Sequence, residues 1–319
     1  MIALADQLTL IQSRGLPAEA AHWLVTRFWN PSEPEKTGLA TARGRHQLAL
    51  ELQARGYPRG AAIHWPEGPE IRSLAARLQH FNVRLAWRGT PPYPARLTEA
   101  LAEAAPAWLW ICGDERRLAG RTLSVVGSRQ SPMPLLAATR RLAQVLAEAG
   151  VSVVSGLAPG ADTAAHEGAR TGAAGTVAIP ARGILQIDLA ACQGDAPWMT
   201  ALALDRPAAP FSAGLAIRRN DVIAAMGDGL VLVASGLQGG SLYAVRWALA
   251  RGTPVWCFEA ATRTPPANRA LLRRGQARPL AIRAKPEVWV EAILKGLSEA
   301  RSNAATPKKT GSPVPLDLF

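Results

Sequence analysis

Between residues 123 and 258 the apolar positions switch repeatedly between two periods. Leu123 to Val126 form a short β-branched run that stops at Gly127. A run of that length ending in glycine predicts a buried strand and a sharp turn. From Leu135 the apolar residues fall at Ala138, Leu142, Val145, Leu146 and Ala149, ahead of Gly150. That spacing predicts an amphipathic helix with a glycine stop. Val151 to Val154 repeat the strand, and Ser155, Gly156 and Gly160 punctuate a second turn that opens a helix from about residue 161. Continued along the chain, the pattern predicts strands near 123–127, 151–155, 175–179, 229–234 and 254–258, and helices near 134–149, 161–172, 218–227 and 239–251. The expected architecture is a doubly wound α/β fold with a mostly parallel sheet and right-handed crossovers.

The flanks read differently. Residues 1–85 hold helical patterns broken by Pro31, Pro34, Gly56 and Pro58, and predict a small helical N-terminal domain in which Trp23, Phe28 and Trp29 are core residues. Residues 86–298 make the main domain, with a bridging segment leading into it and a closing helix near 286–297. Residues 182–215, rich in alanine, proline and glycine, show no clear period and receive no element. Residues 299–319 have the polar, proline-containing composition of a disordered tail, ending in the apolar PLDLF.

Charge narrows the partners. The 319 residues carry a formal net charge of +12, which favours polyanions such as nucleic acid, although an arginine-rich proteome gives the same balance. Cys112, Cys192 and Cys257 are scattered, with neither disulfide nor zinc spacing, and no cofactor or metal is expected. The N-terminal stretch has no signal-peptide pattern and no run is long enough to span a membrane, so the expected location is cytoplasmic.

The candidate chemistry sits at the glycine turns. In an open parallel sheet ligands bind beyond the carboxyl ends of the strands, where helix N-termini present unpaired N–H groups to anions. The first turn places Ser128 and Arg129 there, and the second, SGLAPGAD, places Ser155, Gly156 and Asp162. Asp162 fits the first helical turn better than a catalytic role. His166, four residues on, can reach Asp162, and with no third ligand nearby it reads as a positioning residue. IRRND offers Arg218, Arg219 and Asn220 to an incoming backbone, and a third turn carries Gly239, Gly240 and Ser241. Farther on, Arg269, Arg273, Arg274 and Arg278 form a basic stretch without acids, either a solvated face or an electrostatic footprint.

The series VVGSR, SGLAPGADTAAH, RRNDVIAAM, GGSLYAVRWALARGTPVW and NRALLRRGQ, in this order and spacing, resembles the DprA/Smf family of DNA-processing proteins over roughly residues 85–285. The resemblance implies a Rossmann-like domain that binds single-stranded DNA, pairs into a homodimer and hands DNA to a RecA-type recombinase during transformation or recombination. It also implies a phosphate pocket lined by Gly127, Ser128, Arg129, Ser155, Gly156, Arg219, Asn220, Gly240 and Ser241. Asp221 departs from the family's second arginine and sets a negative charge beside the expected DNA path; Ala161 and Tyr243 also depart, from isoleucine and threonine. PLDLF resembles the terminal peptides that enter the bacterial sliding clamp, with Leu316, Asp317, Leu318 and Phe319 as the contacts.

The expected function is therefore non-enzymatic DNA binding in uptake, recombination or genome defence. Two alternatives stand beside it: a nucleotide sensor or enzyme of related Rossmann-like families, and a clamp-tethered adaptor. Against hydrolysis, GLQGGSLYAV has no glutamate where the phosphoribohydrolase motif PGGxGTxxE carries one.

Overall fold

A computed structural model describes residues 4–13, 16–25, 48, 50–54, 56, 66, 68–260 and 263–304. One nine-stranded sheet runs in the order β1-β2-β6-β5-β4-β3-β7-β8-β9. The strands are β1 (Arg84–Trp87), β2 (Trp108–Cys112), β3 (Thr122–Val126), β4 (Ser152–Ser155), β5 (Thr176–Ala178), β6 (Met199–Ala203), β7 (Leu230–Leu232), β8 (Val255–Glu259) and β9 (Arg278–Ala281). Every pairing from β6 to β9 is parallel, and β1 with β2 and β2 with β6 are antiparallel.

The helices are α1 (Leu4–Gln12), α2 (Ala18–Trp23), α3 (Gly68–His80), α4 (Ala95–Leu101), α5 (Arg116–Ala119), α6 (Met133–Glu148), α7 (Ala161–Ala169), α8 (Ala213–Met226), α9 (Ser241–Ala250), α10 (Pro266–Arg273) and α11 (Pro286–Ala304). Strand side chains alternate between faces, so each apolar run feeds two cores. Leu123, Val125, Val153, Val231 and Phe258 face α6, α7 and α11. Val126, Val154, Leu230, Leu232 and Cys257 face α4, α8, α9 and α10. All five predicted strands and all four predicted helices of this region are present, with α8 beginning earlier than its apolar period suggested because Ser212 caps it, accepting from Leu215 N at 3.0 Å.

Four strands, β1, β2, β6 and β9, were not anticipated. β1 and β2 are short and tryptophan-bearing within the bridging segment, and β6 lies inside the unplaced residues 182–215. Its all-buried sequence MTALA has no polar alternation to announce it. The boundary drawn at residue 85 falls within β1, and the N-terminal helices share one apolar cluster with the sheet, through Leu8, Leu52 and Leu78 packed with Trp110 and Ala201. Arg206 fastens the two together by donating to Ile11 O and Ser13 O, both at 3.1 Å, near the carboxyl end of α1. Trp23 packs against this cluster as expected, while Phe28 and Trp29 lie outside the described residues. α11 runs on to Ala304, into the stretch assigned to the tail, and residues 305–319 lie outside the described residues.

The chain reverses its direction of travel across the sheet between β3 and β7. This is the topological switch point, where the loops leaving the two strands diverge and open a crevice.

Candidate nucleic-acid interface

At the switch point a crevice of about 450 Å³ lies beyond the carboxyl ends of β3 and β7. It is lined by the first glycine turn (Gly127 to Gln130), by Ala158 and Asp162, by one face of α8 (Ala216, Ile217, Arg219, Asn220 and Ile223) and by the third turn from Ser235 to Ser241. Glycine at 127 is a packing requirement, since a Cβ there would lie 2.7 Å from Ala161 Cβ and 2.9 Å from Val233 Cβ. Gly160 adopts φ +82°, and a Cβ there would lie 2.4 Å from Arg129 O, so the first two turns are pressed backbone to backbone.

Arg129 stands exposed at the mouth with its guanidinium 5.7 Å from the centre of the Phe211 ring. Phe211 is itself half exposed, and the composition-poor stretch that holds it gave no hint of a role. Arg219 is set deep instead. Only 8 % of its side chain is accessible; Nη1 donates to Ile179 O at 2.8 Å, and Nη2 lies 3.6 Å from Asp162 Oδ2. Its Nε is buried without a hydrogen-bond partner. Burial draws the Arg219 pKa below its ordinary value, with Asp162 opposing and Arg129 adding to the fall. Asp162 is the converse: burial raises its pKa, and the Arg219 charge and the Ala158 N–H, at 3.3 Å, oppose the rise.

Asp162 sits in the first turn of α7, as expected, with Gly160 at the N-cap position. His166 makes its own contacts. Thr176 Oγ1 donates to Val153 O at 2.6 Å, so it accepts from His166 Nδ1–H at 2.8 Å, which leaves Nε2 to accept the Leu157 N–H at 3.3 Å. The bond holds Leu157 in its left-handed conformation, φ 57°. Burial, then the Arg219 charge, lower the His166 pKa to about 3, so the ring is neutral and serves as a strut for the second turn.

Of the residues expected at the pocket, Asn220, Gly240 and Ser241 line the crevice and also bond within the protein, whereas Ser155, Gly156 and Arg218 lie outside its lining. Ser155 is fully buried and donates to Val125 O at 2.7 Å, bracing β4 against β3. Gly156 contributes through the space it leaves, for a Cβ there would come within 1.3 Å of Arg219 Nη1. Asn220 spends its amide on Gly240 O at 2.9 Å and so sets the third turn against α8. Ser241 Oγ reaches Ser235 Oγ at 3.3 Å. Arg218 points out of the crevice towards Asp205, 3.8 Å away. Asp221 is absent from the crevice lining and lies within electrostatic reach of Arg251, so the negative charge expected beside the path is carried outside the crevice.

The basic stretch is not a single surface with the crevice. Arg269 and Arg273 are exposed on α10 and Arg274 follows it, whereas Arg278 opens β9 at the amino ends of the parallel strands, the end away from the crevice, paired with Glu299 at 3.0 Å and 5.8 Å from the Trp256 ring centre. Asn268 explains the placement of α10: its buried amide reaches Val233 O and Phe258 O, both at 3.1 Å. The clamp contacts proposed at Leu316, Asp317, Leu318 and Phe319 lie outside the described residues. Among the described residues no cluster of histidine, cysteine and carboxylate could hold a metal, and no helix is long and apolar enough to cross a membrane.

A doubly wound sheet with a cationic, glycine-walled crevice at its switch point defines a class of anion-binding α/β protein. Within that class the chain belongs to the DNA recombination-mediator protein A family, whose model matches residues 84–288. It is 29 % identical over 228 residues to Protein Smf of Escherichia coli, a match that takes in 68 % of this chain and 59 % of that protein, so the chain spans under two thirds of that relative's length. Its fold is similar to that of DNA processing protein A from Streptococcus pneumoniae (TM-score 0.61, 20 % identity, 88 % of this chain and 95 % of the other). It is also similar to that of the Helicobacter pylori protein of the same name (TM-score 0.57, 22 % identity, 68 % and 98 %), whose structure was studied for its single-stranded DNA binding mode.

Proposed function

We propose that the crevice grips the sugar-phosphate backbone of single-stranded DNA and that the protein acts without catalysing a reaction on it. The observation that carries this reading is the pairing of two unlike arginines. Arg129 is exposed over a half-exposed aromatic ring, and Arg219 is buried behind it with an unused Nε. A phosphate between them would meet an exposed fork and a preorganised deep cation. Phe211, beside Arg129, supplies a π-face for an adjacent base. Ile217 in the lining and Leu237, between the lining residues Gly236 and Gln238, are each about half exposed and add apolar surface for further bases. Such a surface has little to read base identity with, so binding is sequence-tolerant. The family membership supports transfer of the bound strand to a RecA-type recombinase, with the protein acting as a homodimer in the cytoplasm.

Calorimetric titration with short oligonucleotides beside a panel of mononucleotides tests the reading. Oligonucleotides binding tighter than any mononucleotide, with steep salt dependence, are the expected result. A mononucleotide binding tighter than the oligomers makes the protein a nucleotide sensor instead.

A further inference from the structure

On the far side of the sheet's antiparallel edge two thiols meet. Cys112 closes β2, and its cross-strand partner on β6 is Ala201. The Ala201 backbone also hydrogen-bonds Cys192, from the short helical turn at Ala190–Cys192. One residue therefore adjoins both cysteines, and the two thiols hydrogen-bond each other directly. Cys112 in turn donates to Phe81 O at 3.3 Å. Arg84 stands beside this pair, held to Gly113 O at 3.2 Å. A surface cavity of about 570 Å³, with Arg84, Gly113, Asp114 and Gly194 in its wall, reaches Cys192. A small oxidant entering this cavity meets Cys192, with the Cys112 thiol directly behind it, and both sulfurs are otherwise enclosed in the apolar cluster beneath the N-terminal helices. Cys257 is different: it is fully buried on β8 under α10, with its thiol towards Asn268 O at 3.7 Å.

We propose that Cys112 and Cys192 are a peroxide-responsive dithiol that closes to an intrachain disulfide within the native fold. The hydrogen bond from Cys192 and the Arg84 charge favour the Cys112 thiolate, although its burial works the other way. With hydrogen peroxide as oxidant, the Cys112 sulfur attacks one peroxide oxygen and the O–O bond breaks. The departing hydroxide takes the Cys112 proton and leaves as water, with Cys112 as the sulfenic acid. The Cys192 sulfur then attacks the Cys112 sulfur, the S–O bond breaks, and the leaving hydroxide takes the Cys192 proton as a second water. Two thiols have given up two electrons and two protons, and one peroxide has become two waters. The bond fastens β2 to the segment between β5 and β6, closing a long loop.

The test treats the reduced full-length chain with equimolar hydrogen peroxide, blocks remaining thiols under denaturing conditions and maps the products by mass spectrometry. The expected result is one blocked thiol, Cys257, and one linked peptide pair containing Cys112 and Cys192, restored to three blocked thiols by a dithiol reductant. The oxidised chain melts higher than the reduced chain by roughly 5 °C. Three blocked thiols after oxidation, over-oxidised Cys112 without a link, any link through Cys257, or a lowered melting point each overturn the proposal. The variant Cys192→Ser leaves Cys112 unable to link, which separates the intrachain reaction from linkage between molecules.

Discussion

Arg219 occupies the space that a side chain at Gly156 would need, its Nη1 lying 1.3 Å from where that Cβ would be. The second glycine turn is therefore a berth for the guanidinium, and the flexibility of its backbone is secondary. Gly156→Ala forces Arg219 from Ile179 O and from Asp162. The expected outcome is a loss of roughly 1–3 kcal/mol in stability from the disturbed buried pair, read by urea unfolding, together with weaker oligonucleotide binding.

Arg129→Ala removes an exposed cation and should leave stability within about 0.5 kcal/mol. Its affinity for single strands should fall roughly ten- to a hundredfold, equally for all base compositions, and the slope of log K against log salt should become shallower by about 0.7. Arg218→Ala and Asp221→Asn, whose side chains lie outside the crevice lining near Asp205 and Arg251, should leave both quantities nearly unchanged. Fluorescence anisotropy across a salt series separates these three variants.

Arg219→Ala is expected to behave unlike Arg129→Ala. It strands the Asp162 carboxylate, which is 9 % accessible, without its cation and should cost about 3–5 kcal/mol of stability. The double variant Asp162→Asn with Arg219→Ala should recover much of that stability while binding remains weak. Thermal unfolding and anisotropy, measured on the same samples, check the two effects.

Phe211→Ala should weaken binding by about 1–3 kcal/mol if a base stacks on the ring, and Phe211→Trp should retain it. Equal loss for an abasic oligonucleotide in the wild-type protein would identify the same contact.

His166 sets a pH dependence. Its folded pKa, about 3, is below the ordinary value near 6.5, so between those limits the unfolded chain holds a proton that the folded chain lacks. Stability from this group is complete above pH 6.5 and falls as pH drops, reaching a loss of about 2 kcal/mol at pH 5. Asp162, whose pKa burial raises, slopes the opposite way above the ordinary carboxylate range. The difference between wild type and His166→Asn in urea unfolding from pH 7 to 5 isolates the histidine, since asparagine does not titrate.

Much of the fold was legible because strand and helix periods are local. β3, α6, β4 and α7 follow from spacing and glycines alone, and so did the placing of three turns at one edge of the sheet. β6 escaped because MTALA is buried on both faces and lacks alternation, and Phe211 because nothing local marks a ring that matters only by lying near Arg129. The roles within the site were less legible than its membership. Ser155, Asn220 and Arg218 have the right chemistry for phosphate, yet a buried hydroxyl must find a partner in the protein and takes Val125 O, Asn220 takes Gly240 O, and helix rotation turns Arg218 outward.

The sequence by itself determined the alternating elements, the anion-binding edge, the basic balance and the family resemblance, because each is written in neighbouring residues or in ordered motifs. The tertiary structure alone decided which arginine is exposed and which is buried against Asp162, and that Asp221 lies outside the crevice. Burial and pairing arise where distant segments pack, and no local pattern carries that information.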